Sequence, residues 1–192
     1  MPAEVPYAVL VEPTTYISIV RPETPIQKNL IEFNNIYAAS FEQGDLALPP
    51  AKKYAVVTCM DARIDPSAAF GIALGDAHII RNAGGSARDA LRSLIISQQL
   101  LGTNEILLIK HTGCGMLTFK NEDAVKIVEE KLGEGARKEL ETFGGDFQPF
   151  ENLEKEVTRD VEWLRGVEAI PGEVGISGWV YEVESGRVRK VI

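Results

Sequence analysis

The sequence predicts an α/β fold: a mainly parallel β-sheet core flanked by helices, preceded by an N-terminal extended arm and helix and closed by a C-terminal antiparallel edge strand. Three observations carry this expectation. Short apolar runs at residues 53–58, 77–80 and 105–109 alternate with helical patterns, the arrangement that right-handed crossovers and a parallel sheet require. A chain of 192 residues that is 45% hydrophobic and 25% charged has the size and composition of one globular domain with a sizeable core. No stretch approaches the ~20 consecutive apolar residues that span a bilayer. We therefore expect residues 1–192 to form one domain, with residues 1–48 as its arm and helix.

Residues 1–23 carry Pro2, Pro6, Pro13 and Pro22 among short apolar runs, which predicts an extended arm with one strand near residues 16–20. Thr24-Pro25 supplies a helix cap followed by proline at the first helical position. Ile26, Leu30, Phe33, Tyr37 and Phe41 then recur at helical spacing, predicting one amphipathic helix that ends near Gly44. After the Leu48-Pro49-Pro50 linker come the three buried strands. Between them, Asp65-Pro66 starts a helix, and Ser86 caps another that runs through Ala87, Leu91, Leu94, Ile95 and Gln98 to Leu101. Residues 121–142 and 150–165 read as further helices, with Gly133, Gly135, Gly144 and Gly145 loosening the region between. Residues 179–184 and 188–192, joined by Ser185-Gly186, read as a terminal strand or hairpin. In such a sheet, ligands gather beyond the carboxyl ends of the parallel strands.

Charge and cysteine content narrow the function. Twenty basic against twenty-eight acidic side chains give a net charge of −8, the wrong sign for a protein that grips the phosphate backbone, so no nucleic-acid partner is expected. Two cysteines do not make the disulfide framework of a small secreted domain, and the first basic side chain is Arg21, so a basic segment leading into an apolar core is missing at the start. A cytoplasmic protein without a membrane partner is the expectation. Cys59, Cys114, His78 and His111 are all the soft or imidazole ligands the chain offers.

Three of these four fall at strand ends. Cys59 closes the first core strand, and His111-Thr112-Gly113-Cys114 closes the third, so the set converges if those strands are neighbours. A Cys₂His set suits a catalytic Zn²⁺ site that keeps its fourth position for water or substrate. The competing readings are that each cysteine is a small buried hydrophobe, or that the two form a redox pair, for which no Cys-x-x-Cys is present. His78, between Ala77 and Ile79-Ile80, reads as a core or sheet-face residue. Asp61 and Arg63 follow Cys59 at alternate positions, which in an extended segment would turn all three toward one pocket. Asp61 could bind a cation directly, or pair with Arg63 and accept a hydrogen bond in the site. A plain loop salt bridge is the other reading. The run Arg81-Asn82-Ala83-Gly84-Gly85-Ser86 could present backbone N–H groups to an anion or serve as a tight turn and helix cap, and no established phosphate-loop pattern is present.

Taken together, Cys59-x-Asp61-x-Arg63, Arg81-Asn82-Ala83-Gly84 and His111-x-x-Cys114-Gly115 resemble the β-class carbonic anhydrases, in detail over residues 53–116. The segment from Gly178 to Val183, with Gly186, is similar to that family's closing strand. The resemblance implies Zn²⁺ held by Cys59, His111 and Cys114, a catalytic dyad of Asp61 and Arg63, and Asp61 as a fourth ligand in a closed state. Gly84, Gly85 and Gly115 are the candidate substrate- and anion-binding positions. It also implies reversible hydration of carbon dioxide to bicarbonate and a proton, or hydrolysis of carbonyl sulfide or carbon disulfide, which related proteins perform with the same ligands. A homodimer or higher even oligomer is expected, with the N-terminal helix lying across the partner. Two features depart from the pattern: Gly113 stands where many compact relatives carry an acidic residue, and residues 117–150 match nothing in it.

Overall fold

A computed structural model of the chain describes residues 23–192, which divide into two compact units between Asp45 and Leu46. The strand expected near residues 16–20 lies outside the described residues. In the first unit, helix α1 (Pro25–Ala39) begins with the capping box its sequence encodes. Gln27 N–H donates to Thr24 Oγ1 (3.2 Å), Thr24 N–H donates to Gln27 Oε1 (2.7 Å), and Pro25 occupies the first turn, where no N–H is needed. The helix stops at Ala39 rather than near Gly44, because the Ser40 N–H turns back onto the carbonyls of Tyr37 and Ala38. Its apolar stripe stays exposed, Ile26 by 80% and Leu30 by 69%.

The second unit holds a five-stranded sheet in the order β2-β1-β3-β4-β5. Strands β1 (Tyr54–Cys59), β2 (His78–Asn82), β3 (Glu105–His111) and β4 (Gly175–Glu182) are parallel, and β5 (Arg187–Lys190) returns antiparallel to β4. The three core strands extend one or two residues further than their apolar runs, so Cys59 and His111 are themselves the last strand residues. Helix α2 (Pro66–Phe70) is capped by Asp65, which accepts from Ser67 N (3.1 Å) and Ala68 N (3.3 Å). Helix α3 (Ala87–Gln99) is capped by Ser86. The expected long helix over residues 121–142 is instead α4 (Asn121–Leu132), α5 (Glu134–Glu139) and a 3₁₀ turn. The break is at Gly133, whose N–H closes the last bond of α4 before the chain changes direction. Helix α6 (Leu153–Arg165) starts later than residue 150, because Phe150 is drawn into the core and its N–H bonds Met116 O (3.1 Å).

Ala55, Val57, Ile106 and Leu108 pack one sheet face against α3 and α6 through Leu94, Val161 and Leu164. On the other face, Leu107, Ile109, Trp179 and Val188 line an apolar hollow with Ala69 and Phe70 of α2. Helix α6 lies close enough to the sheet that a Cβ on Gly178 would sit 2.4 Å from Val157 Cγ1. Gly178→Ala should therefore destabilise the protein by ~1–3 kcal/mol through overpacking. Urea denaturation would show this as a lower midpoint at unchanged slope.

Candidate metal centre

Strands β1 and β3 are neighbours, paired in register up to Thr58 and Ile109, so Cys59 and His111 emerge side by side at the carboxyl end of the sheet. A short turn through Thr112 and Gly113 then brings Cys114 back to the same point. One ligand atom from each of Cys59, His111 and Cys114 lies within 4.8 Å of the others, and all three residues are buried. The two sulfurs are 4.0 Å apart and both cysteines are free. That is far beyond a disulfide bond of ~2.05 Å, and close to the ~3.8 Å separating two thiolates that share a tetrahedral zinc at ~2.3 Å.

The histidine tests the fit of a cation most sharply. His111 Nδ1 lies 2.9 Å from Thr112 O, and a carbonyl can only accept, so Nδ1 carries the hydrogen and Nε2 keeps its lone pair. Nε2 is buried and has no hydrogen-bond partner. An orphaned buried acceptor is costly, and a cation between it and the two sulfurs removes that cost. The electrostatics agree. The Cys59–Cys114 contact, with help from nearby backbone N–H groups, lowers the Cys59 pKa, while the same contact together with burial raises that of Cys114. The contact thus favours ionisation of Cys59 over that of Cys114. Burial works against a charged His111, but Cys59, the Thr112 carbonyl and Asp61 outweigh it and raise its pKa. Groups that together attract a proton also attract a metal ion.

Asp61 and Arg63 meet beside this cluster, but not through an extended segment. Residues 61–64 form a turn closed by Ile64 N–H to Asp61 O (3.1 Å), with the Asp61 carboxylate accepting from Arg63 N (2.9 Å). Asp61 and a proline-capped helix start so close together favour a turn, because a short carboxylate bonds the backbone two residues on. The turn brings the guanidinium onto the carboxylate in a two-pronged pair, Nε to Oδ1 at 2.9 Å and Nη2 to Oδ2 at 2.7 Å. Nη2 also donates to Gly113 O (2.9 Å), tying the dyad to the ligand loop. Asp61 Oδ2 is 3.7 Å from His111 Nε2. Arg63 holds the Asp61 carboxyl well below the usual carboxylate range. Its contribution to stability is thus complete above pH ~4, the unfolded value, and fades as the pH falls below it.

Gly84 and Gly85 form a buried turn after β2, with φ of +71° and +59°, a region that only glycine enters without strain. Among the smaller influences that lower the Cys59 pKa is the backbone of Gly84. Gly115 begins a 3₁₀ turn, and its carbonyl accepts from Thr118 N (3.0 Å) and Oγ1 (2.7 Å). Arg81 donates to Cys59 O (3.1 Å) and Asp61 O (2.6 Å), fixing the backbone between ligand and dyad. His78 stays outside the cluster and pairs with Ser97 Oγ at 2.7 Å.

The family model for carbonic anhydrase matches residues 54–188. β-Carbonic anhydrase 1 of Mycobacterium tuberculosis (strain ATCC 25618 / H37Rv) is 39% identical over 163 residues, covering 82% of this chain and 93% of that protein. This chain belongs to the β-carbonic anhydrase family. The solved carbonic anhydrase from Glaciozyma antarctica superposes with a TM-score of 0.83 at 42% identity, covering 88% of this chain and 100% of that one. A carbon disulfide hydrolase of Acidithiobacillus thiooxidans is 34% identical over 158 residues, 75% of this chain and 79% of its own length. The Cys59, His111 and Cys114 cluster is a zinc site of the β-carbonic anhydrase type.

Two features of the surroundings went unread in the sequence. Thr112 Oγ1 donates to Glu184 Oε2 (2.6 Å) and accepts from Val183 N (3.0 Å), pinning the ligand loop to the β4–β5 turn. Lys110 is buried beneath the cluster and paired with Asp160. A lone lysine closing the apolar run Ile106-Leu107-Leu108-Ile109 was the signal that could have revealed it.

Proposed function

We propose that this enzyme catalyses the zinc-dependent, reversible hydration of carbon dioxide to bicarbonate and a proton. The orphaned His111 Nε2, facing two sulfurs beside a clamped carboxylate, is the observation that carries this reading. Cys59, His111 and Cys114 would hold the ion, three protein ligands leaving one position free. Zinc bound there supplies a Lewis acid that makes water nucleophilic near neutral pH. Asp61, ionised and acceptor-only, takes a hydrogen bond from a donor in the site and orients it. Arg63 holds that carboxylate away from the ligand cluster, so loss of Arg63 would free Asp61 to become a fourth ligand and close the centre. Gly84, Gly85 and Gly115 would line the substrate side, with the Gly84 N–H supporting the Cys59 thiolate.

The likeness to a carbon disulfide hydrolase supports a second reading, hydrolysis of carbon disulfide or carbonyl sulfide at the same centre. Purified protein should accelerate CO₂ hydration in a stopped-flow indicator assay and release little hydrogen sulfide from either sulfur compound. The reverse pattern would replace the first reading with the second.

The apolar stripe of α1 and the apolar hollow beside Trp179 support self-association as a homodimer or higher even oligomer, with α1 lying across a second copy. Light scattering should give an even multiple of 21.0 kDa, and Leu30→Glu should shift the population toward monomer. A wild-type monomer at micromolar concentration would contradict this. Two free cysteines 4.0 Å apart suit a reducing compartment, which supports the cytoplasm. Among the described residues, no helix is long and apolar enough to cross a membrane.

A further inference from the structure

Lys110 is the residue of β3 that neither the sheet nor the ligand set explains. Its side chain is 2% exposed, and its ammonium meets three oxygens: Asp160 Oδ2 at 2.9 Å, Gly84 O at 3.0 Å and Gly85 O at 3.1 Å. The face of the Phe150 ring lies 5.2 Å away. Three donors on three acceptors satisfy a group that would otherwise be costly to bury. A buried ion pair is nevertheless poor evidence for stability, since apolar residues of the same shape often serve as well. Its acceptors suggest another use.

Two of the three are carbonyls of successive glycines, so one ammonium fixes two neighbouring peptide planes. The second plane is held from its other end by Ser86 N–H to Asn82 Oδ1 (2.6 Å). The turn so fixed is wedged between both metal-ligand segments. A Cβ on Gly85 would lie 3.1 Å from the backbone N of Cys59, and one on Gly84 would lie 2.8 Å from Cγ of Met116, two residues past Cys114. Asp160 also accepts from Ala87 N (3.2 Å), anchoring the arrangement to the first turn of α3.

We propose that Lys110 is a positioning residue of the metal centre: seated by Asp160, it locks the Gly84–Gly85 turn against the end of β1 and thereby fixes the sulfur of Cys59. This rests on the zinc reading of the cluster. The lock reaches Cys59 through the close packing of Gly85 on its backbone N, and the Gly84 N–H belongs to the peptide plane immediately before the two that Lys110 holds.

The test compares wild type, Lys110→Met/Asp160→Asn, which leaves no unpaired buried charge, and Asp160→Asn alone, which removes the seat and leaves the ammonium only the two glycine carbonyls. Three readouts apply: the amide resonances of Gly84 and Gly85 in metal-free protein, the thiolate-to-metal absorption of cobalt-loaded protein, and kcat for CO₂ hydration. The double variant should displace both resonances, shift the cobalt absorption and lower kcat at least about tenfold, in the range seen when groups supporting metal ligands are lost. Asp160→Asn, which removes the seat but leaves two carbonyl acceptors, should displace the same resonances, shift the cobalt absorption and lower kcat in the same direction but by less. A folded double variant with wild-type resonances and absorption would reduce Lys110 to a structural role. Should the double variant not fold, Asp160→Asn decides alone: displaced Gly84 and Gly85 resonances with altered cobalt absorption support the lock, and wild-type resonances and absorption would overturn it. Wild-type protein that takes up neither zinc nor cobalt would defeat the zinc reading, while the metal-free resonances would still decide the lock.

Discussion

Cys59→Ala is expected to abolish zinc binding and CO₂ hydration together, lowering the catalysed rate by a factor on the order of 10³ or more, because the metal is the source of the nucleophile. The reason lies in the ligand count. The cluster offers two sulfurs and one imidazole, and removing one sulfur leaves a His-Cys pair with too few donors to retain zinc. Fold loss is a separate matter. Cys59 is 5% exposed at the end of β1, and trimming a buried thiol to a methyl group leaves a small void that costs ~1–2 kcal/mol, within the stability of an ordinary domain. Metal analysis and circular dichroism on the same preparation separate the two effects. A folded, zinc-free, inactive variant is the expected result. A zinc-replete and active Cys59→Ala protein would remove this residue from the ligand set.

Arg63→Ala should be the second largest effect, and it differs in kind. Zinc should remain, since Arg63 touches none of the three ligands, but activity should fall on the order of 10²-fold, the scale of losing a positioned proton-handling group. Without the two-pronged pair at 2.9 and 2.7 Å, the Asp61 carboxylate is free to rotate toward His111 Nε2, only 3.7 Å from its Oδ2. X-ray absorption at the zinc edge should then report an added oxygen ligand. Arg63→Lys should recover a fraction of the activity, because an ammonium can neutralise Asp61 but cannot match both oxygens at once. Full activity in Arg63→Ala would end the dyad assignment.

Much of the site was legible because its parts are rare. With four soft or imidazole ligands in 192 residues, position at strand ends singled out Cys59, His111 and Cys114 and set His78 aside, and the pairing of β1 with β3 met the one condition that was left open. The strand-to-helix alternation likewise carried the parallel core, while the antiparallel β5 was legible from the Ser185-Gly186 turn and the family resemblance. What escaped was tertiary. Nothing in the spacing of Cys59, Asp61 and Arg63 distinguishes an extended run from the observed turn, since both bring Asp61 and Arg63 together. The partnership of Lys110 with Asp160 spans 50 residues and becomes visible only when α6 lies on the sheet. Helix α1 ended early because periodicity through Phe41 reports which residues are apolar, whereas Ser40 decides where the backbone turns. The arrangement of residues 117–150 followed no pattern tied to the centre, and there the sequence indicated helix without showing the break at Gly133.

On this reading of the site, a metal held by Cys59, His111 and Cys114 is what drives CO₂ hydration. Stopped-flow measurement of hydration by one preparation, before chelation, after removal of metal with dipicolinate and after restoring stoichiometric zinc, tests it most directly. The rate should collapse to the uncatalysed background on removal and return with zinc. Hydration that persists undiminished in metal-free protein, or that is absent from zinc-replete protein, would show that the Cys59, His111 and Cys114 centre does not drive the reaction.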